Sequence, residues 1–297
     1  MNPKIWFNGK LVGWEECRVH ITAYSLHYGA AAFEGIRFYE TPKGIALFRL
    51  REHLKRLVKS AEILGMGIQY SKNDLVNAAK FTVKSSGMKN GYLRPIVFYG
   101  ESELYVHAED SNVNVAMIIL PWKRYLKDNA VKVMASSYMR LHPKSVPMGA
   151  KISGYYANSI LAILEARKKG FDEALLLDHK GNVAEGPAEN LFIVKNNVLM
   201  TPPLSNILPG VTRDSIIALA KDNKIKVHEK NFNLGEAKKA DEAFFTGTGA
   251  EITPVIQIDK TKIGDGKIGA VTQKLIKLFR DAVSGKNKKY DKWLEYA

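Results

Sequence analysis

Cysteine is almost missing from this sequence. Cys17 is the one such residue among 297, so no internal disulfide can form and a disulfide-stapled scaffold is excluded. The seven histidines show no close Cys/His spacing of the kind that holds structural zinc, and no metal site is expected. Long apolar runs are missing as well. Val113 to Leu120 is strand-length and far short of the ~20 residues that span a bilayer. The first residues, Met1 to Gly9, enter strand-like sequence directly, without the basic-then-apolar order of a secretory leader. A cytoplasmic protein without a membrane partner is the expectation. No repeat, low-complexity stretch or long Gly/Ser/Pro linker is found, so any domain boundary falls in a short connection.

What is present is enough apolar sequence, 46%, to fill the core of a chain this long. Basic residues outnumber acidic ones 44 to 30, a formal charge of +14, which suits nucleic acid, anionic small molecules or a solvated lysine-rich surface. The dense run Lys286 to Lys289 lies in a short C-terminal tail with no recognisable nucleic-acid module, and the other lysines are spread along helices. No nucleic-acid partner is expected.

Periodicity divides the chain into two α/β-type domains of the α+β kind, residues 1–120 and 130–297, joined at 121–129, with a cleft between them. In the first, Ile5 to Val12 reads as a hairpin around Asn8-Gly9, and Phe33 to Tyr39 with Ile45 to Arg49 as another around Thr41-Pro42-Lys43-Gly44. One helix carries Leu50, Leu54, Leu57, Val58 and Ala61 on a single face and ends near Gly65; a second is capped at Asn73-Asp74 and runs to Gly87. Strands Tyr92 to Tyr99 and Val113 to Leu120 follow. The second domain is expected to hold strand Val131 to Ser136, a helix from Tyr155 to Lys169, and hairpins about His179-Lys180-Gly181 and Asn196-Asn197. Helices Gly210 to Asp222 and Ala270 to Val283 complete it, with strands near Lys226 and Ala243.

Five stretches could carry chemistry. Lys151 sits among small residues between a strand and a helix; an exposed loop lysine and an amine able to attack an aldehyde are both open readings. Glu185-Gly-Pro-Ala-Glu189-Asn190 brings two carboxylates and an amide to the start of an apolar strand, either as a polar turn or as an acid paired with a ring nitrogen. Pro209-Gly210-Val211-Thr212 opens a helix, and Thr246-Gly247-Thr248-Gly249-Ala250 is a second small-residue loop; both suit a phosphate. Neither is a dinucleotide fingerprint or a P-loop. Tyr92 and Arg94 share one face of a strand, as a ligand site or a cross-strand pair. Arg56 lies off the apolar stripe of its helix and reads as solvated.

Taken together, these segments resemble the branched-chain aminotransferases of the fold-type IV pyridoxal-phosphate enzymes. The resemblance rests on His27-Tyr-Gly29, Phe33-Glu-Gly-Ile-Arg37, Arg51 to Leu57, Tyr92-Leu-Arg-Pro95, Ala150-Lys151, Glu185 to Asn190, Leu208 to Arg213 and Gly247 to Pro254, and runs from Ile5 through the final helix. It implies a small α+β domain beside a larger, mainly β pseudo-barrel domain with helices. It also implies pyridoxal 5'-phosphate held as a Schiff base on Lys151, with Lys151 moving the substrate proton. Glu185 would face the pyridine nitrogen, Tyr156 the ring hydroxyl, and Arg56, the amides of Val211 and Thr212, and Thr248 the phosphate; Glu189 and Asn190 belong to the same cofactor-binding set. The substrate carboxylate would lie near Tyr92 and the Thr248-Gly249 amides, its side chain among Tyr28, Phe33, Trp122 and Tyr125 near Gly35. Arg94 would take the distal carboxylate of glutamate. Transamination of leucine, isoleucine and valine with 2-oxoglutarate by a homodimer or larger homo-oligomer is implied, with Leu104 and Val106 lent to the neighbouring subunit. A D-amino-acid aminotransferase, an aminodeoxychorismate lyase and an amine-selective transaminase are the nearest alternatives of that fold type, and a basic nucleic-acid-binding protein is the alternative of another class.

Overall fold

The computed structural model describes residues 3–107, 112–122 and 130–297. Of the expected connection at 121–129 it describes Pro121 and Trp122; Tyr125 lies outside the described residues. The chain forms two compact units. One takes its described residues from 3–122, 150–155 and 281–297, the other from 130–149 and 156–280.

The first unit begins with β1 (Ile5–Phe7) and β2 (Lys10–Val12), paired as a hairpin whose turn puts Asn8 and Gly9 at positive φ, the geometry that Asn-Gly turns favour. A short helix, α1 (Tyr24–Tyr28), leads to β3 (Ala31–Phe33), β4 (Ile36–Thr41) and β5 (Gly44–Phe48). Helices α2 (Leu50–Ile63) and α3 (Lys72–Ser85) precede the long strands β6 (Gly91–Tyr99) and β7 (Val113–Leu120). Every pairing in this sheet is antiparallel. Its core consists of Leu50, Leu54, Leu57 and Ala61 from α2 and Leu75, Ala79 and Val83 from α3, packed with Ile36, Phe38, Leu93, Val97 and Met117 of the strands. Fully burying one such leucine contributes about 1.5–3 kcal/mol. The cap of α3 is Ser71, whose hydroxyl accepts from the Asp74 amide while the Asp74 carboxylate accepts from the Ser71 amide. This capping box corrects the expected start at Asn73-Asp74.

Two later segments return to this unit, whereas the sequence reading takes 130–297 as one stretch. Leu294–Tyr296 pairs antiparallel with β5, Leu294 opposite Phe48, and closes one edge of the sheet. Ile152 bridges Ala32 of β3, and the Gly154 amide donates to the Gly29 carbonyl at 2.9 Å. Gly29 caps α1 with φ of 64°, and a Cβ there would lie 2.7 Å from the Gly154 Cα. Two glycines therefore let the segment that carries Lys151 lie directly on the end of α1.

The second unit is mainly sheet. Its strands are β8 (Val131–Ala135), β9 (Glu173–Leu175), β10 (Asn190–Lys195), β11 (Val198–Thr201), β12 (Lys226–Glu229), β13 (Glu242–Gly247), β14 (Glu251–Ile258) and β15 (Thr261–Lys262). The order is β12-β11-β10-β13-β14-β8-β9, with β15 paired to β14. Its helices are α4 (Tyr156–Lys168), α5 (Val211–Asp222), α6 (Leu234–Lys238) and α7 (Ala270–Val283). The hairpin about Asn196-Asn197 forms as expected, both residues at positive φ. The hairpin about His179 does not form as a ladder: β9 pairs in parallel with β8, and residues 182–185 make isolated bridges, to Leu177, Asn233 and Asn190.

Glu173 of β9 is fully buried. Its Oε1 accepts from the Ala174 amide at 2.9 Å, its Oε2 finds no partner among the described residues, and burial pushes its carboxyl up to about 7. A carboxyl raised on folding favours the folded state below its unfolded value, and that contribution is lost as pH rises through about 7. Glu173→Gln is therefore expected to raise Tm by several degrees at pH 8 and to have little effect at pH 5. Thermal unfolding at the two pH values checks it.

Candidate active site

The residues singled out from the sequence fall into two groups, one in each unit. In the first unit, Lys151 is tied by its backbone on both sides. Its N–H donates to Ser60 Oγ at 2.9 Å, and its carbonyl accepts from the Phe33 N–H at 3.1 Å. Ser60 is fully buried on α2, and its hydroxyl donates to the Arg56 carbonyl at 2.8 Å. Lys151 Nζ lies 4.9 Å from the centroid of the Phe33 ring.

Arg56 is not the solvated residue that periodicity gives. Its side chain is 11% exposed and forks onto Glu34, with Nε to Oε1 at 2.6 Å and Nη2 to Oε2 at 3.0 Å. A hydrophobic stripe finds apolar partners only, so a helix residue buried through its charge escapes it. Glu34, His53 and Ser60 are the residues here that the sequence reading leaves without a role. The one signal available for them is polar side chains set in or beside apolar positions.

Tyr92 and Arg94 do share a face of β6, Arg94 Nη2 donating to Tyr92 Oη at 3.1 Å. Around them stand Phe33, whose ring centroid is 4.8 Å from the Arg94 guanidinium carbon, and Trp122, stacked on Tyr92 at 5.3 Å. Two buried donors on this wall, Arg94 Nε and Trp122 Nε1, have no hydrogen-bond acceptor among the described residues, a costly state unless a ligand or water supplies one. Gly35 is required by the same wall, because a Cβ there would lie 1.8 Å from Tyr92 Oη. Gly35→Ala is expected to push the tyrosine aside, raising KM for an amino-acid substrate about tenfold or more while Tm moves little; steady-state kinetics with a melting curve checks it. Tyr28, half-exposed on α1, donates to the Leu104 carbonyl at 2.7 Å, and Tyr24 donates to the Val106 carbonyl.

In the second unit, Glu185 is buried and surrounded by donors. Arg140 Nε reaches Oε1 at 2.5 Å, Asn190 Nδ2 reaches Oε2 at 2.9 Å, and the Leu208 amide lies at 3.2 and 3.1 Å from the two oxygens. Arg140, in the irregular stretch after β8, is a further residue without a sequence signal. Asn190 also donates to the Leu208 carbonyl at 3.0 Å, so it fixes the chain just before α5. A Cβ on Gly210 would lie 2.0 Å from Asn190 Oδ1, and Gly210, the N-cap of α5, has no side chain with which to cap the first turn. The amides of Val211 and Thr212, both buried, thus open a helix N-terminus of the kind that binds phosphate. Glu189 is buried and turned back on its own loop, its Oε2 accepting from the Ala188 amide at 3.1 Å. Thr248 and Gly249 form the turn between β13 and β14, and Tyr156 opens α4. Among the described residues no cluster of side chains could hold a metal ion.

A lysine amine over the Phe33 ring, an uncapped helix start and a caged carboxylate are the parts that the resemblance requires. The sequence matches the family Amino-transferase class IV over residues 31–258. The chain belongs to the class IV aminotransferases. Among relatives of this aminotransferase, the branched-chain-amino-acid aminotransferase of Pseudomonas aeruginosa is 42% identical over 293 residues, 97% of this chain and 95% of that one. The branched-chain aminotransferase of Thermoproteus uzoniensis, solved with norvaline, superposes with a TM-score of 0.95 at 41% identity over 99% of each chain. The branched-chain amino acid aminotransferase of Thermobaculum terrenum, solved in its PLP-form, gives a TM-score of 0.93 at 32% identity, covering 99% of this chain and 98% of that one. The aminotransferase fold is the α+β fold of these enzymes. Each unit holds groups of the kind pyridoxal phosphate needs: in the first, an amine that suits an aldehyde and a guanidinium that suits a phosphate; in the second, helix-start amides that suit a phosphate and a carboxylate that suits a ring nitrogen.

Proposed function

We propose that this aminotransferase moves the amino group of L-leucine, L-isoleucine and L-valine to 2-oxoglutarate, giving the branched 2-oxo acids and L-glutamate. Lys151 is the residue that holds pyridoxal 5'-phosphate. Bound there, the cofactor supplies an aldehyde that accepts the amino group and a ring that accepts electrons from the α-carbon. Freed from the aldehyde when the substrate amine takes its place, the Lys151 amine would take the proton from the substrate α-carbon and then give it back as general acid. Glu185 keeps a proton on the ring nitrogen, and Tyr156 orients the ring through its hydroxyl. Arg56, the Val211 and Thr212 amides and Thr248 hold the phosphate, with Glu189 and Asn190 shaping the loops around it.

The observation that carries the substrate reading is the wall of Phe33, Tyr92 and Trp122, whose buried Arg94 Nε and Trp122 Nε1 find no acceptor among the described residues. Its aromatic surface suits a branched aliphatic side chain. Its orphan donors suit a carboxylate, which both the amino acids and 2-oxoglutarate carry. Tyr92 with the Thr248-Gly249 amides receives the α-carboxylate, Arg94 the distal one of glutamate, and Tyr28, Gly35 and Tyr125 complete the substrate set.

The enzyme works in the cytoplasm as a homodimer or larger homo-oligomer. Leu104, Tyr105 and Val106 in the first unit, and Ile160, Leu161 and Leu164 on α4 in the second, are exposed apolar side chains that a second copy would cover. No helix among the described residues is long and apolar enough to cross a membrane. Formation of L-glutamate from 2-oxoglutarate tests the reading: L-leucine, L-isoleucine and L-valine should serve as donors and D-alanine should not. A preference for D-alanine would reject it.

A further inference from the structure

Glu34 takes no part in the chemistry above, yet its side chain is wholly buried. It stands at the turn between β3 and β4. Its carboxylate accepts from Arg56 Nε at 2.6 Å, from Arg56 Nη2 at 3.0 Å and from His53 Nδ1 at 2.7 Å. Burial alone would raise the carboxyl, but the Arg56 guanidinium and His53 outweigh it and hold Glu34 well below the usual carboxylate range. Burial likewise depresses His53, with Arg56 and Lys151 adding to the effect against the pull of Glu34. An ionised carboxylate can only accept, so His53 donates to it from Nδ1.

Such a cluster is a poor way to gain stability. Well-packed apolar side chains of similar volume do as well or better, because ions buried together must first lose their water. Its value lies in direction. A carboxylate fork occupies one edge of a guanidinium and fixes its plane, which a long flexible side chain does not fix for itself. The fork is anchored in turn: the Glu34 amide donates to the Pro95 carbonyl at 2.9 Å, and the preceding residue, Phe33, donates to the Lys151 carbonyl. One short turn therefore sets both Lys151 and Arg56.

We infer that Glu34 is a positioning residue for the cofactor phosphate, holding Arg56 in its gripping pose while His53 locks the carboxylate from the other side. The inference rests on the reading of Arg56 as a phosphate ligand. Apoprotein titrated with pyridoxal 5'-phosphate and, separately, with pyridoxal, followed by quenching of tryptophan fluorescence, tests it. The ratio of the two dissociation constants isolates the phosphate contribution. Glu34→Gln is expected to shrink that ratio by about tenfold while the pyridoxal constant stays put. Equal weakening of both ligands, or no change, would overturn the inference. Glu34→Asp keeps the charge but shortens the reach, so a smaller fall in the ratio is expected there too, and an unchanged ratio in the folded Asp variant would equally overturn it. Arg56→Ala is the control: if it leaves the ratio unchanged, the assignment of Arg56 has failed, which is a different result from an Arg56 effect that Glu34 does not share.

Discussion

Lys151→Ala is expected to abolish transamination, lowering kcat by about a thousandfold or more, while the protein stays folded and still holds the cofactor without a covalent bond. Two functions are lost together: the amine that anchors the aldehyde and the base that moves the α-proton. Structural damage should be small, because the backbone of this residue is itself held, to Ser60 Oγ and the Phe33 N–H. Alanine keeps both. A small primary amine in the buffer is expected to restore a fraction of the rate, since it replaces the missing base but not the tether. Single-turnover kinetics with and without methylamine measures this. Normal turnover by the variant would refute the assignment, and loss of cofactor binding together with loss of fold would show a structural role instead.

The second large effect concerns Glu185. Glu185→Gln preserves shape and can still accept from Arg140, but it removes the negative charge assigned to the ring nitrogen. A carboxylate already held by Arg140, Asn190 and the Leu208 amide is fixed before substrate arrives, and such preorganised charge is worth about 10²–10³-fold in kcat. The expected result is a fall of that size in kcat with KM changed little and a shift in the cofactor's absorbance maximum. Arg140 is left beside a neutral partner, so some loss of Tm is also expected. A drop in Tm with an unaltered kcat would mean that the carboxylate serves only to balance Arg140.

Much of the fold is legible where the signal is local. The Asn8-Gly9 and Asn196-Asn197 turns, the apolar stripe of α2 and the alternation of β6 each follow from neighbouring residues, and the structure has them where the pattern puts them. The long-range pairings are not legible. Nothing local says that Leu294–Tyr296 will find β5, or that β9 will pair with β8 rather than with the residues after His179; strands of three residues are specified by what they meet. β14 goes unread for another reason, since the small-residue loop before it draws the eye to phosphate binding and Glu251 starts the strand at positive φ.

The site divides the same way. Tyr92 and Arg94 follow from strand alternation, and the α5 start follows from its Gly and Thr. Lys151 has no local signature that separates it from any other loop lysine, and only the resemblance selects it. Arg56 is misread by periodicity because its burial is electrostatic, through Glu34. Glu34, His53, Ser60 and Arg140 act through neighbours distant in sequence, which a one-dimensional pattern does not carry.

The central claim is that this chain exchanges an amino group between L-branched-chain amino acids and its cofactor. Half-reaction spectroscopy tests it most directly: protein loaded with pyridoxal phosphate is mixed with L-leucine alone, and separately with D-alanine, while the cofactor's visible band is followed. The predicted result is loss of the band with L-leucine, its return on adding 2-oxoglutarate, and no response to D-alanine. A response to D-alanine alone would contradict the substrate assignment, and absence of any band would contradict the cofactor.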